Sequence, residues 1–338
     1  MTMFGRLDSL YRRTGATLPG GDARPSHNAE MEGYFWRVTD VANRRVLVVL
    51  CGVNQHPEGD WATIAFASHP GGFVRSAVVA GAHAAPDRFL VTAGQGAFFA
   101  TETELHVDLG DDARADLTLT RPVFWPRVLG GGGVFSAVPY LGQYWHPHML
   151  GGAATGTVCV GGQAREFSDA AVYAEKNWGA GFPESWWWGQ AQGFARPDVC
   201  VAFTGGVLTA GPLSATVGGV VARIGDQVIR LTPPLSVVRS ETDGERWEVR
   251  AHGHGYRVHI LGNASHPPHV LPVPLPAERR NLPTDFEHLA GHLTMEVSGR
   301  LNYQGSTNLA GLEIGHRPTR DELAGTRTSM ADVTTSPS

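Results

Sequence analysis

From Met31 to His316 the chain is a succession of short apolar runs separated by glycine, proline and small polar residues. Within several runs polar and apolar side chains alternate, a period of two that belongs to strands. Trp247-Glu-Val-Arg-Ala-His252 and Tyr256-Arg-Val-His-Ile260 show it well, and Gly253-His-Gly255 between them predicts a hairpin. Ile224-Gly-Asp-Gln-Val228 predicts another, turning at Gly225-Asp226. Strands are expected over 45–53, 61–67, 73–80, 96–101, 104–109, 115–120, 157–160, 199–204, 217–224, 227–231, 247–252, 256–261 and 292–301. Helical periodicity is almost absent; residues 282–293 are expected to hold one short helix. The fold class is therefore all-β and mostly antiparallel, closed into barrels or packed as sandwiches.

Residues 1–25 and 317–338 lack sustained patterning and are expected to fray or stay disordered. Gly130–Gly133 reads as a flexible connection, and 265–276, rich in proline, as a rigid surface crossover. The 338 residues suit one large all-β domain or two ordinary ones. A net charge of -5 without basic runs excludes a nucleic-acid surface. No apolar run reaches the roughly 20 residues that span a bilayer, and Asp8 interrupts any signal-peptide reading of the N-terminus. Cys51, Cys159 and Cys200 are odd in number and widely spaced, as expected of buried free thiols in a reducing compartment, by default the cytoplasm.

The densest chemistry lies in Tyr173-Ala-Glu-Lys-Asn-Trp-Gly179 and the stretch from Ser185 to Phe194. On a strand, Trp186, Trp188, Gln190 and Gln192 share one face. Indoles beside amides suit a lined cavity; a packed aromatic cluster with satisfied amides explains the same pattern, and spacing does not separate the two. Carboxylates sit in similar company. Glu32, Tyr34 and Trp36 fall in one parity, and Asp169, Tyr173, Glu175 and Asn177 in another. A carboxyl walled by indoles is held protonated by burial and becomes a Brønsted acid, whereas pairing with Arg37 or Lys176 would make it structural. Lys176, opposite in parity to Glu175, is expected to face outward or brace a carboxylate.

Other chemistries find less support. Fifteen histidines include His146-Pro-His148, His252-Gly-His254, His266-Pro-Pro-His269 and the pair His288/His292, yet none has a carboxylate at a ligand spacing, so no metal is expected. No Gly-x-Ser-x-Gly elbow or phosphate loop is present, and no cofactor is expected.

Several blocks together resemble the tocopherol cyclase family. They are Glu32-Gly33 with three aromatics and Arg37; Trp145, Met149-x-Gly-Gly152 and Thr155-Gly156; Phe167-x-Asp169-Ala170; Glu175-Lys-Asn-Trp-Gly179, Gly181-Phe-Pro183, Trp186-x-Trp188 and Gln190; Leu208-Thr-Ala-Gly211; and Gly311-Leu-Glu-Ile-Gly315. The likeness spans roughly residues 28–316. The order Tyr34-Phe35-Trp36 is permuted relative to the family, Tyr144-Trp145-His146 replaces its His-Trp-Gln, and Gly189 and Gly193 replace bulkier residues, which is expected to enlarge or reshape a pocket.

The resemblance implies two lipocalin-like β-barrels side by side, a fold shared with carotenoid hydratase and lipocalin-like Diels-Alderase proteins; the expected units are 26–178 and 179–316. It also implies cofactor-independent cyclisation of a prenylated aromatic substrate by alkene protonation and capture of the cation by a phenol oxygen. Glu175 is the first candidate acid, followed by Asp169 and Glu32. Trp36, Trp178, Trp186 and Trp188 are expected to face the cation, with Tyr34, Trp145, Tyr173, Asn177, Gln190 and Gln192 completing the substrate surface. The partner is an apolar small molecule, drawn in one variant from a membrane surface. A hydratase or pericyclase on the same scaffold, or a carrier without catalysis, remain as alternatives.

Overall fold

The computed structural model describes residues 3–210 and 213–317. A helix, α1 (Met3–Arg12), precedes the strands β1 (Met31–Asp40), β2 (Arg45–Asn54), β3 (Trp61–His69), β4 (Phe73–Ala80), β5 (His83–Ala84), β6 (Val91–Ala93), β7 (Phe98–Ala100), β8 (Glu104–Asp108), β9 (Ala113–Thr120), β10 (Gln143–Met149), β11 (Ala153–Val160) and β12 (Gln163–Gly179). The second series is β13 (Ser185–Ala191), β14 (Val199–Ala210), β15 (Leu213–Ile224), β16 (Gln227–Leu231), β17 (Ser236–Thr242), β18 (Arg246–Gly253), β19 (Tyr256–Asn263), β20 (His269–Leu275), β21 (Arg280–Gly299) and β22 (Tyr303–His316).

Each series forms its own antiparallel sheet. The first runs β4-β3-β2-β1-β12-β11-β9-β8-β7-β6-β5 with β10 also on β12; the second runs β16-β15-β14-β13-β22-β21-β19-β18-β17 with β20 also on β21. Each curls around a separate apolar core, giving two lipocalin-like barrels. Trp36, Leu47, Phe66, Phe98, Leu117 and Val172 fill the first, and Phe203, Val220, Trp247, Ile260, Met295 and Leu312 the second.

The strands that matter for function are buried on both faces, because the barrels lean on each other. Val46 and Val48 of β2 meet Leu271 of β20, Leu289 of β21 and Leu309 of β22, while Tyr173 of β12 packs with Trp188 of β13. The period of two then sorts side chains between barrel interior and seam. In β1, Tyr34, Trp36 and Val38 turn inward. Phe35 and Arg37 take the other face, opposite Glu175 and Tyr173 of β12.

Five expectations are corrected. Residues 282–293 are strand: both faces of β21 are buried, so its apolar positions lose the alternation that marks a half-exposed strand. Residues 269–275 are likewise strand β20, with Leu271 and Val273 buried against the core. The glycines of Gly130–Gly133 are packed tightly: a Cβ at Gly131 would strike the Pro147 ring and one at Gly133 the Thr232 hydroxyl. Residues 3–25 carry α1 and a strap across one end of the first barrel, where Gly15 O accepts the Trp178 indole N–H at 2.7 Å and Pro25 O accepts from the Lys176 ammonium at 2.8 Å. Carbonyls hold this strap, and they leave no hydrophobic periodicity to read. Cys51 and Cys200 are buried thiols, but Cys159 is only half-buried. The tail expected from residue 317 lies outside the described residues apart from Arg317, and Gly211 lies outside them as well.

Candidate active site

A cavity of about 360 Å³ opens in the seam between the barrels, within the size range of small-molecule sites. The first sheet contributes Tyr34, Phe35, Cys51, Tyr144, Trp145, Glu175 and Asn177; the second contributes Trp186, Trp188, Thr204, Val217, Leu271, Pro274, Asp285 and Glu313. Three indoles and three carboxyls therefore share one largely apolar chamber. Gly205, Gly206, Gly218 and Gly219 line its second-sheet wall, and a Cβ at Gly206 would meet Pro183 and one at Gly219 Thr232 and Trp145.

Glu175 is held asymmetrically. Its Oε2 accepts from the Trp145 indole at 2.9 Å, the Trp188 indole at 3.0 Å and the Tyr173 hydroxyl at 2.5 Å. All three of these bonds fall on the one oxygen, and the side chain lines the cavity. Burial raises this carboxyl's pKa against the three donors, which pull the other way. A proton held there belongs on Oε1, because Oε2 is occupied. When that proton leaves, three fixed donors already surround the carboxylate that remains.

The second sheet supplies the other carboxyls by register. β22 places Glu313 opposite Trp188 of β13 and Glu287 of β21, and Gly315 opposite Trp186 and Asp285. Asp285, Glu287, Glu313, Trp186 and Trp188 thus share the seam face. The Trp186 indole donates to Glu313 Oε1, and Asp285 is the diagonal neighbour of Glu313 across β21 and β22. Burial, followed by mutual repulsion with neighbouring carboxylates, raises both well above the ordinary range. Behind them Glu287 is raised by burial to about 7 despite Arg37, whose Nη1 lies 3.6 Å away.

Gly311 and Gly315 flank Glu313 on the same face because the indoles must lie across β22. A Cβ at Gly315 would fall inside the Trp186 ring, and one at Gly311 would press on Trp188 and Arg37. Gly315→Ala is expected to push Trp186 aside and break its bond to Glu313. Activity should fall by at least about 10-fold, the order of one lost charge-assisted hydrogen bond. Tryptophan emission measured beside turnover checks this; unchanged emission with normal activity would show that the indole needs no glycine beneath it.

Of the residues singled out in the sequence, the structure gathers Glu175, Tyr34, Trp145, Asn177, Trp186 and Trp188 around the cavity, with Tyr173 behind Glu175. Asp169 is elsewhere. It sits exposed at φ 55 in a bulge of β12, paired with Arg121. Asp169 points away from the barrel interior as Glu175 does, since Phe167, Ala170, Val172 and Ala174 are the residues that enter the core, but at this end of β12 the outward face is open to solvent. Glu32 is buried but on the barrel side, 2.8 Å from Lys176 Nζ, and also accepts from Ser26, Tyr34 and the His27 and Ala29 amides. Burial alone would raise Glu32; Lys176 and these donors hold it below the usual carboxylate range, so it is a poor acid. Lys176 is drawn down by burial to about 8. The two shifts differ in which force prevails, and the short contact with its extra donors decides for a charged pair at neutral pH. Bracing a carboxylate is thus what Lys176 does.

The remaining residues serve packing. Trp36 fills the first barrel beside Phe89 and Phe98, and Trp178 is stacked between His27 and Tyr144. Gln190 shares the cavity face of β13 but lies deeper, its Nε2 3.5 Å from Cys200 Sγ. Gln192 ties the barrels together through Thr39 Oγ1 at 3.2 Å and Ala171 O at 2.9 Å. Gly189 widens nothing in the seam: it faces the second barrel, where the Phe203 ring lies over it. Gly193 makes a turn at φ 78.

Sequence reasoning missed Asp285, Glu287 and Glu313. Glu313 lay in the quoted block Gly311-Leu-Glu-Ile-Gly315, whose x-Glu-x alternation between glycines was the available signal. Asp285 and Glu287 alternate too, in the stretch read as helix.

Two curled barrels with an indole-walled, carboxyl-bearing cavity in their seam define a lipocalin-like two-barrel protein, and the comparisons with known proteins narrow the class. The family model described as tocopherol cyclase-like matches residues 125–316, more than half of the chain, and the chain belongs to that family. It is 28% identical over 240 residues to a protein named probable tocopherol cyclase, chloroplastic, of Oryza sativa subsp. japonica, covering 62% of this chain and 48% of that one. It is 38% identical over 95 residues to the chloroplastic tocopherol cyclase of Zea mays, covering 26% of this chain and 20% of the maize protein. The chain thus spans about half, or less, of the length of these relatives. The crystal structure of CghA with Sch210972 superposes with a TM-score of 0.54 at 13% identity over 84% of this chain and 88% of that one, a likeness of fold alone.

Proposed function

We propose that this chain closes an oxygen ring on a prenylated phenol or a related apolar substrate, by protonating a trisubstituted alkene and letting a phenolic oxygen capture the cation. The observation that carries the reading is the setting of Glu175: one oxygen pinned by three donors, on a side chain that lines a chamber of indoles. Burial keeps the proton in place, and the cradle stabilises the carboxylate once the proton has gone. Trp145, Trp186 and Trp188 offer ring faces to the tertiary cation, each contact contributing up to about 2 kcal/mol when dry. Enclosure folds the prenyl chain over its ring, and such near-attack geometry is worth roughly 7–11 kcal/mol.

The test is isotopic. Turnover of a prenylated hydroquinone in D2O is expected to place one deuterium on a product carbon, and H2(18)O is expected to leave no label. An 18O-labelled product would make the chain a hydratase. Ring closure without deuterium would indicate a pericyclic reaction, and unchanged ligand a carrier.

A further inference from the structure

We propose that Asp285 and Glu313 act as one unit that accepts the hydroxyl proton of the substrate, from the sheet facing Glu175. The assignment rests on the cyclase reading above and adds to it a second catalytic group and an orientation for the bound molecule.

Three observations converge. Both residues line the same cavity as Glu175 but from the other barrel. Glu313 is held by the Trp186 indole, and Asp285 is its diagonal neighbour on the same face of β21 and β22, so the two carboxyls are placed together. Asp285 is buried, and its Oδ1 has no hydrogen-bond partner among the described residues. A buried carboxyl oxygen without a partner costs on the order of 1–3 kcal/mol, and a ligand hydroxyl donating to it would remove that penalty. Nothing of the kind awaits a ligand at Glu175 Oε2, which already has its three donors.

The residues Trp186-x-Trp188 then serve both walls. Trp188 holds the carboxyl of the first sheet and Trp186 that of the second, each through its indole N–H. The substrate would lie with its alkene toward Glu175 and its hydroxyl toward Asp285. The proton of Glu175 Oε1 passes to the alkene carbon as the π bond breaks. The hydroxyl oxygen then gives an electron pair to the cationic carbon while its own proton passes to Asp285 Oδ1. One C–H and one C–O bond form, one O–H bond breaks, and no oxidant or further reactant enters. Water admitted as product leaves returns the proton from the pair to Glu175.

Asp285→Asn keeps the shape of the site and removes the acceptor. With a 2-prenylated hydroquinone in D2O, ring closure by the full-length variant is expected to fall about 100-fold, in the range of lost general base catalysis. Deuterium should still enter the prenyl chain, appearing in isomerised alkene or water-trapped alcohol, because Glu175 still forms the cation. Glu313→Gln should show the same diversion and guards against one variant failing to fold. Ring closure within about threefold of the parent in both variants would overturn the proposal. So would loss of deuterium entry together with ring closure in variants that fold and bind, because the pair would then be supplying the proton. Failure of the cyclase reading looks different: the parent protein itself would give no deuterated ring.

Discussion

Glu175→Gln is expected to lower kcat by about 10²–10⁴-fold, the range for removal of a positioned general acid, while KM stays within about threefold. The substitution is close to isosteric. The glutamine carbonyl still accepts from Trp145, Trp188 and Tyr173, so the indoles that line the cavity keep their anchor. What is lost is the proton on the other oxygen. Thermal stability should hold or rise slightly, since a buried ionisable group gives way to a neutral one. Initial rates with a prenylated hydroquinone, beside a titration of tryptophan fluorescence with the same compound, separate chemistry from binding. If more than about a tenth of the activity survives, the acid lies elsewhere, and the Asp285–Glu313 pair is where to look.

Lys176→Met is expected to cost about 3–5 kcal/mol of folding stability, the usual price of leaving one member of a buried ion pair alone. Lys176 and Glu32 are both buried and 2.8 Å apart. The ammonium also donates to Pro25 O at 2.8 Å and to Ala23 O at 3.4 Å, so it fastens the N-terminal strap to the first barrel. Its loss removes both connections, against a total stability of typically only 5–15 kcal/mol. Urea unfolding followed by tryptophan emission reads the change directly. Lys176→Met with Glu32→Gln should recover part of the loss, because no uncompensated charge stays buried. A single variant as stable as the parent would mean that the pair contributes nothing and that the strap is held by other bonds.

Neighbouring residues of one strand thus do unrelated work. Glu175 faces the seam and Lys176 the barrel, a division that follows from the period of two. That alternation was plain in the sequence wherever β12 is regular. It misled at Asp169, which lies at the exposed end of the outward face, paired with Arg121, because alternation gives the face of a strand and not what covers it. Strand after strand of the barrels could likewise be read from alternation and turn residues, including the hairpins at Gly225-Asp226 and His254-Gly255. Where alternation vanished, as in β21, the reading went to helix.

The sequence by itself determined the all-β character, the hairpins and the dominant aromatic segment, because these depend on side chains a few positions apart; the ranking of Glu175 as first-choice acid came from the likeness to the family. Only the tertiary structure decided that the chamber lies between the barrels, that Asp285 and Glu313 join it, and that Glu32 is neutralised by Lys176. Those facts need two sheets to meet in a definite register. Carboxyls 138 positions apart, such as Glu175 and Glu313, become neighbours only when the faces that carry them are pressed together and shut away from water.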